Sequence, residues 1–193
     1  MEFDLQLKKR LLSVFPILIF LIGVSLLLLR QFVFFPYKVS GVSMENTLFN
    51  NDKVLINHFT NSIEDLQRFD VVVVNSPLEN TSNKKTIIKR VVGLPGDTIE
   101  YKSQQLYING LQVKDAYSKG KTADFSLKNI YGFERVPNDT IFVLGDNREE
   151  SLDSRFKEIG FISLNNIEGK VILRYKPFIE LPPLSLRLEE GDS

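Results

Sequence analysis

Residues 86–97 read TIIKRVVGLPGD and combine a run of β-branched residues with a Pro-Gly pair. β-Branched side chains favour strands and a Pro-Gly pair fits the centre of a turn, so this stretch predicts a strand that leads into a turn at Pro95 and Gly96. Side chains alternate across a strand, which places Lys89 on one face and Arg90 on the other. Ile and Val flank both positions, so one of the two cations must point into apolar surroundings.

Similar short segments, rich in β-branched residues and bounded by Gly, Pro, Asn or Asp, recur on both sides of this strand. They are YKVSGVSM, DKVLINHF, DVVVVNSP, DTIEYKSQQLYING, DTIFVLGD and GKVILRYKPF. Residues 71–74, VVVV, lack polar alternation, which predicts a strand covered on both faces. The first segment predicts a strand that ends at Ser43. The chain is therefore expected to be mostly β.

Charge and composition exclude several classes of function. Lys and Arg together number 24, as do Asp and Glu, so no basic field favours nucleic acid, which is not expected as a partner. Cys is absent, which excludes disulfides, thiolate metal sites and a cysteine nucleophile. With a single His and no paired carboxylate ligands, no metal site is expected.

The N-terminal region contains 19 uncharged residues, LLSVFPILIFLIGVSLLLL, between Arg10 and Arg30. A helix of this length, at about 1.5 Å per residue, nearly spans the hydrocarbon core of a bilayer. A buried core helix or a cleaved secretory signal are the alternatives. The run exceeds a typical signal h-region and no A-x-A site follows it, so residues 11–30 are predicted to be a retained transmembrane anchor.

Three basic residues, Lys8 to Arg10, precede the span, and the positive-inside rule then places residues 1–10 in the cytoplasm. Residues 31–181 are expected to form an extracytoplasmic β domain, followed by a tail at residues 182–193. Within that domain, residues 103–136 mix charges, Gly and scattered aromatics, which is typical of a small secondary lobe or a mobile excursion.

A Ser–Lys pair is the remaining candidate for chemistry. The single His58 lies in a strand-like LINHF segment and limits any Ser-His-Asp arrangement. Burial of Lys89 disfavours its charged form and lowers its pKa, which makes a neutral amine available to accept the proton of Ser43. The alternative is that Lys89 snorkels from an edge strand and Ser43 merely ends one, and these two residues alone favour that alternative.

Four segments, in this order, resemble the type I signal peptidases (leader peptidases) of bacteria in their short single-span form. They are GVSMENTLFNND, RFDVVVVNSP, KRVVGLPGDTIEY and FVLGDNREESLDSRFKEIGFI. The resemblance extends from the apolar span to about residue 175. It implies coiled antiparallel sheets and a membrane-anchored serine endopeptidase. Such an enzyme cleaves signal peptides from secreted precursors at the outer face of the cytoplasmic membrane, with the lipid bilayer as a partner and without metal or cofactor.

The resemblance also implies roles for individual residues. Ser43 would be the nucleophile, Lys89 the general base, and Ser151 would donate a hydrogen bond that orients Lys89. Met44 would pack beside the nucleophile. The charged positions expected to brace the site through ion pairs and hydrogen bonds are Arg90, Asp146, Arg148, Asp153 and Arg155.

Two residues depart from the family pattern, which usually has Pro at the position of Asn46 and in some members a hydroxyl residue at that of Gly41. Without a hydroxyl at Gly41, stabilisation of the tetrahedral intermediate rests more on the backbone N–H of Ser43. Asn46 is expected to change only the stiffness of the turn.

Substrate recognition is expected to follow strand geometry, with an extended precursor segment lying alongside YKVSG and TIIK and its side chains alternating into shallow pockets. Tyr37, Val39 and Ile88 are the predicted pocket walls. Such pockets would accept small residues, such as Ala, immediately before the cleaved bond and two positions further upstream.

Two other classes of protein fit parts of this pattern. A self-cleaving repressor shares the Ser-Lys dyad and a related β fold, but it carries a DNA-binding helical domain where this chain has an apolar span. A catalytically silent signal-peptidase-like protein, serving the assembly of surface structures such as pili, should have lost the serine or the lysine, and this chain has both.

Overall fold

The computed structural model describes residues 12–25, 34–58, 66–77, 86–176 and 178–179. The predicted cytoplasmic segment 1–10, the ends of the predicted span at residues 11 and 26–30, and the predicted tail 182–193 lie outside these residues. Contacts divide the chain into two compact units, Met1–Phe35 and Pro36–Ser193. The site residues predicted from the sequence all belong to the second unit.

Helix α1 covers the described residues 12–25 of the first unit. Large apolar side chains lie exposed along it, namely Leu12, Val14, Phe15, Ile17, Leu18, Ile19, Phe20, Leu21 and Ile22. Within the described ranges, no helix has both the length and the apolar character needed to cross a membrane.

Outside α1, strands are the main regular structure of the described chain. The strands are β1 (Phe34–Lys38), β2 (Lys53–Asn57), β3 (Val71–Asn75), β4 (Thr86–Gly93), β5 (Ile99–Lys102), β6 (Gln105–Ile108), β7 (Leu111–Val113), β8 (Phe125–Ser126), β9 (Thr140–Leu144), β10 (Ile162–Ser163), β11 (Ile167–Lys176) and β12 (Phe178–Ile179). A short helix α2 (Leu127–Tyr131) follows β8, and a 3-10 turn, Leu164–Asn166, precedes β11. The prediction of a mostly β chain is confirmed.

The larger sheet has eight strands in the order β1-β2-β11-β3-β4-β9-β10, with β12 paired to β11. The ladders that join β11 to β2 and β3, and β4 to β3 and β9, are antiparallel. Strand β4 is therefore interior, with Lys89 opposite Val72 and Arg90 opposite Leu144. Every residue from Ile88 to Gly93 is buried.

The smaller sheet has four strands in the order β7-β6-β5-β8. Three of these strands and α2 come from residues 103–136, the region expected to be a lobe or an excursion. Helix α2 is capped at its N-terminus by Ser126, whose hydroxyl accepts the N–H of Asn129, and at its C-terminus by Gly132, with φ 77°. Both are standard ends for a helix, since the cap satisfies a free N–H and Gly tolerates the left-handed conformation.

Strand β3 contributes side chains to two hydrophobic clusters of the second unit. Residues 71–74 are 0% exposed, with Val71 and Val73 in one cluster and Val72 and Val74 in another. The predicted strand covered on both faces is thus confirmed.

The prediction that a strand ends at Ser43 is wrong. Strand β1 ends at Lys38, and Ser43 lies in a turn. Gly41, between them, adopts φ 95°, a left-handed value outside the β region, so a strand cannot continue through it to Ser43.

The predicted turn at Pro95 and Gly96 is confirmed and joins β4 to β5. Gly96 has φ 84°, and the Asp97 N–H donates to the Leu94 carbonyl at 3.0 Å. The Asp97 carboxylate accepts two hydrogen bonds from Arg68, at 2.7 and 2.8 Å, one from the Leu94 N–H and one from Asn109. Burial alone would raise the pKa of Asp97, but these donors together outweigh it and hold that pKa below its ordinary value.

We expect Asp97→Asn to lower the free energy of unfolding by about 1.5 kcal/mol at pH 7, because a charge-assisted set of hydrogen bonds is lost. The pKa of Asp97 is lower in the folded state, so the carboxylate contributes fully above its unfolded pKa of about 4 and loses that contribution as the pH falls through the folded value. Urea unfolding between pH 2 and 8 should show the two proteins converging in acid. Asp124→Asn, at an exposed carboxylate with one backbone hydrogen bond, is the control. A gap that persists unchanged down to pH 2 would contradict this account.

Candidate active site

Ser43 and Lys89, 46 positions apart in sequence, lie side by side in the structure, with Lys89 Nζ 2.7 Å from Ser43 Oγ. Lys89 comes from the interior strand β4 and is 3% exposed. Ser43 comes from the turn of residues 41–48, hereafter the 41–48 turn. The structure thus brings the predicted nucleophile and the predicted base within hydrogen-bond distance.

The 41–48 turn is held by its own backbone. The Thr47 and Leu48 N–H groups both donate to the Met44 carbonyl, at 3.0 and 2.8 Å. Met44 and Leu48 are buried in the same cluster, which fixes the turn against the large sheet and places Met44 next to the nucleophile in the chain.

The two departures from the family pattern are the two residues of this turn with positive φ, 95° at Gly41 and 99° at Asn46. Proline holds φ near about −65°, so the observed turn could not accept Pro at position 46 without changing its backbone. The expectation that Asn46 changes only the stiffness of the turn stays a prediction.

Gly145 lies beside both the Ser43 carbonyl and the Ser151 side chain. A Cβ on Gly145 would lie 2.6 Å from the Ser43 carbonyl oxygen and in contact with Ser151 Oγ. Ser151 is buried, and its hydroxyl makes no hydrogen bond to any described residue. The expected hydrogen bond from Ser151 to Lys89 is therefore not formed in this structure, where the hydroxyl packs against Gly145.

Arg90 and Asp146 form a buried bidentate ion pair, with Nε 2.7 Å from Oδ1 and Nη2 2.6 Å from Oδ2. Their side chains are 1% and 0% exposed. Arg90 Nη1 also donates to the Phe69 carbonyl at 2.7 Å, and the Tyr117 ring centre lies 3.6 Å from the guanidinium carbon. Both cations of the opening stretch are thus buried, each beside a polar partner, so neither lies in purely apolar surroundings.

The other charged residues predicted to brace the site are linked within residues 145–155. Asp153 accepts the Gly145 N–H at 3.0 Å and two hydrogen bonds from the Arg155 guanidinium, at 2.8 and 2.9 Å. Arg155 also donates to the Arg148 carbonyl at 2.8 Å. Arg148 donates to the Gly145 carbonyl at 2.9 Å and pairs with Asp115 at 2.6 Å. These bonds fix the loop that contacts Ser43.

Several residues at the site were missed by sequence reasoning. The Asn147 N–H donates to the Ser43 carbonyl at 3.0 Å, and its side chain donates to the Val42 carbonyl at 3.2 Å. The Lys119 N–H donates to the Asp146 carbonyl at 2.7 Å. Asn147 lies inside a motif already quoted and could have been found there, whereas Lys119, like Tyr117 and Asp115, lies in a segment without a recognisable pattern.

Tyr37, Val39 and Ile88, the predicted pocket walls, gather in one cluster with Met44. Val39 and Ile88 are buried and Tyr37 is half-buried, so they form an apolar floor more than exposed walls. Burial raises the pKa of Tyr37, with Glu168 adding to this effect and a hydrogen bond with Thr86 opposing it. No group of three or more metal-binding side chains occurs in the part of the chain that the structure describes.

Comparison with known proteins identifies the family. Residues 9–176 match the family described as signal peptidase, peptidase S26. Signal peptidase I of Bacillus caldolyticus is 43% identical over 159 residues, which cover 78% of this chain and 84% of that protein. Signal peptidase I P of Bacillus subtilis subsp. natto is 38% identical over 182 residues, 91% of this chain and 95% of that protein. A crystal structure of a signal peptidase I from Enterococcus faecalis V583 is 39% identical and covers 56% of this chain and 98% of its own, with a TM-score of 0.48.

The chain belongs to the signal peptidase family, peptidase S26. The predicted resemblance and the predicted enzyme class, a serine endopeptidase of the signal peptidase I type, are confirmed. The matched range contains every candidate site residue from Tyr37 to Arg155. The roles of the individual residues stay predictions.

We expect Gly145→Ala to lower peptidase activity per folded molecule by about 100-fold, because the new methyl group must displace the Ser43 backbone or Ser151, and small misplacements at a reacting group are costly. The measurement is kcat on a precursor peptide, corrected for the folded fraction by circular dichroism. Gly169→Ala is the matched control, since its Cβ would lie 2.5 Å from the Asn57 carbonyl oxygen, between β11 and β2. Equal activity per folded molecule in the two variants would show that Gly145 serves only folding.

Proposed function

We propose that this protein is a membrane-anchored serine endopeptidase that cleaves signal peptides from secreted precursor proteins, with Ser43 as the nucleophile and Lys89 as the general base. The observation that carries the proposal is the 2.7 Å contact between Lys89 Nζ and Ser43 Oγ. Membership of the signal peptidase family supports the substrate class.

The chemistry begins with a proton transfer. Burial disfavours the ammonium form of a lysine, so Lys89 can act as a neutral amine and take the proton of Ser43 as Oγ attacks the scissile carbonyl carbon. The backbone N–H of Ser43 stabilises the oxyanion, since Gly41 offers no hydroxyl for that purpose. The departing amine takes the proton from Lys89, which leaves an ester on Ser43. Lys89 then takes a proton from a water molecule whose oxygen attacks the ester carbonyl, and it returns that proton to Ser43 Oγ as the C–O bond breaks and the acid product leaves.

The supporting residues act by holding the reacting groups in place. Arg90 and Asp146 fix strand β4 to the loop after β9, and Asp153, Arg155 and Arg148 fix that loop internally. None of these five charged groups reaches Ser43 Oγ by a hydrogen bond in the described residues, which fits a bracing role. Ser151 contributes through its packing against Gly145.

An extended precursor segment adds alongside the start of β4. Strand β4 pairs with β9 only from Arg90 onwards. On the side of β4 that faces β9, the backbone of residues 86–88 is therefore not paired with β9. A peptide strand bound there brings its scissile bond towards Ser43. Tyr37, Val39 and Ile88 line the adjacent floor and favour small side chains, such as Ala, before the cleaved bond.

The anchor is the span of residues 11–30. The described part of it, α1, exposes apolar side chains such as Phe15, Leu18 and Phe20, and a helix that is apolar all round is typical of a lipid-embedded segment. By the positive-inside rule, residues 1–10 lie in the cytoplasm of the bacterial cell and the β domain lies outside. After alkaline carbonate extraction, we expect the wild-type chain to stay in the membrane pellet and a variant with Leu18→Lys and Leu21→Lys to be released. Release of the wild-type chain would rule out a spanning anchor.

For the dyad, the experiment uses the full chain in detergent micelles with a secreted precursor as substrate. We expect Ser43→Ala and Lys89→Ala each to abolish cleavage, and the wild-type rate to rise with pH as Lys89 loses its proton. Replacing the Ala before the cleaved bond by Phe should stop cleavage. Ser103→Ala and Lys102→Ala, at two exposed residues at the end of β5 and in the turn after it, are the matched controls.

The outcomes separate the alternatives. If the wild-type chain cuts no precursor, the catalytically silent assembly partner replaces the peptidase. If Lys89→Ala stays active, another base must serve Ser43. If the Phe-containing precursor is cut as fast as the original, the proposed floor does not select small residues.

A further inference from the structure

Thr47 lies between two buried ion pairs, four residues after Ser43. Its hydroxyl donates to Asp146 Oδ2 at 2.5 Å and accepts from Arg90 Nη2 at 3.1 Å. Its carbonyl accepts from Arg174 Nη1 at 3.2 Å. Through one residue, therefore, the 41–48 turn is bonded to the Arg90–Asp146 pair on one side and to Arg174 on the other.

The second ion pair, Arg174–Asp52, connects the turn to strand β11. Arg174, in β11, pairs with Asp52 at 2.8 Å, and both residues are buried. Asp52 Oδ2 also accepts the Phe49 N–H at 2.9 Å, and the Asp52 carbonyl accepts the Val39 N–H at 2.9 Å. The pair thus holds both ends of the loop that carries Ser43.

Every polar group of Thr47 is in use. Besides the hydroxyl and the carbonyl, its N–H donates to the Met44 carbonyl, the residue directly after Ser43. A displacement of Thr47 is therefore passed to the nucleophile through a single turn of backbone. Serine could retain these bonds, whereas valine, of nearly the same shape, lacks the hydroxyl and so loses those to Asp146 and Arg90.

We propose that Thr47 is a positioning residue whose hydroxyl sets the distance between Ser43 Oγ and Lys89 Nζ by tying the 41–48 turn to the Arg90–Asp146 pair. This inference rests on the proposed function of Ser43 and Lys89. The ion pair itself persists without Thr47, because Arg90 and Asp146 remain bonded to each other. Loss of the hydroxyl therefore acts on the position of the turn more than on the integrity of the fold.

The first test compares Thr47→Val with Thr47→Ser in the full chain in detergent micelles, on a secreted precursor. We expect kcat to fall by 10- to 100-fold in Thr47→Val, with KM changed less than about threefold, because misplacement of a reacting group by a fraction of an ångström is costly. Thr47→Ser should stay within about threefold of wild type. Thr140→Val is the matched control, since Thr140 donates its hydroxyl to the Pro137 carbonyl at 2.9 Å outside the 41–48 turn.

The second test needs no cleavage. Hydrogen–deuterium exchange of the Thr47 and Leu48 amides, which both donate to Met44, should be about tenfold faster in Thr47→Val and unchanged in Thr140→Val. If the wild-type chain cuts precursor while Thr47→Val matches Thr140→Val in kcat and in exchange, the positioning role is overturned and the proposed function stands. If the wild-type chain cuts no precursor, the proposed function fails. If, in addition, amide exchange in Thr47→Val is the same as in wild type, the Thr47 hydroxyl does not hold the 41–48 turn on the Arg90–Asp146 pair, and the positioning role is overturned as well.

Discussion

The buried ion pair between Arg90 and Asp146 is the interaction on which the rest of the second unit depends. It connects the interior strand β4 to the loop after β9, and through Thr47 it reaches the turn that carries Ser43. Desolvation of a guanidinium is costly, and it is offset here because Phe69 and Tyr117 complete the surroundings of Arg90. Removal of one partner would leave an uncompensated buried charge, at a cost of about 3–5 kcal/mol.

Lys89 and Arg90 are neighbours in sequence but have different partners in the structure. Arg90 makes a bidentate pair with the Asp146 carboxylate. Lys89, on the opposite face of the same strand, lies beside the hydroxyl of Ser43. The order Lys-Arg in one strand thus places an amine on one face and a guanidinium on the other, because side chains alternate along a strand.

The predictions from sequence are confirmed where adjacent residues determine the local structure. The strand at residues 71–74 and the turn at Pro95 and Gly96 follow from side-chain and backbone preferences of adjacent residues. Prediction from sequence failed for Ser43, because Gly41, between the end of β1 and Ser43, has a positive φ that a strand does not allow, and alternation of side chains does not reveal it. It also placed a hydrogen bond at Ser151 where the structure has a packing contact.

The sequence by itself determined which residue types could take part and on which face of β4 each cation lies, because alternation is a property of any strand. Its motifs also determined the family. The tertiary structure alone decided that Thr47 meets Asp146, 99 positions away, and Arg174, 127 positions away. These contacts depend on the order of strands in the large sheet, in which β11 lies between β2 and β3. That order follows from the packing of the whole chain, since the preference of each segment for a strand does not specify its neighbours.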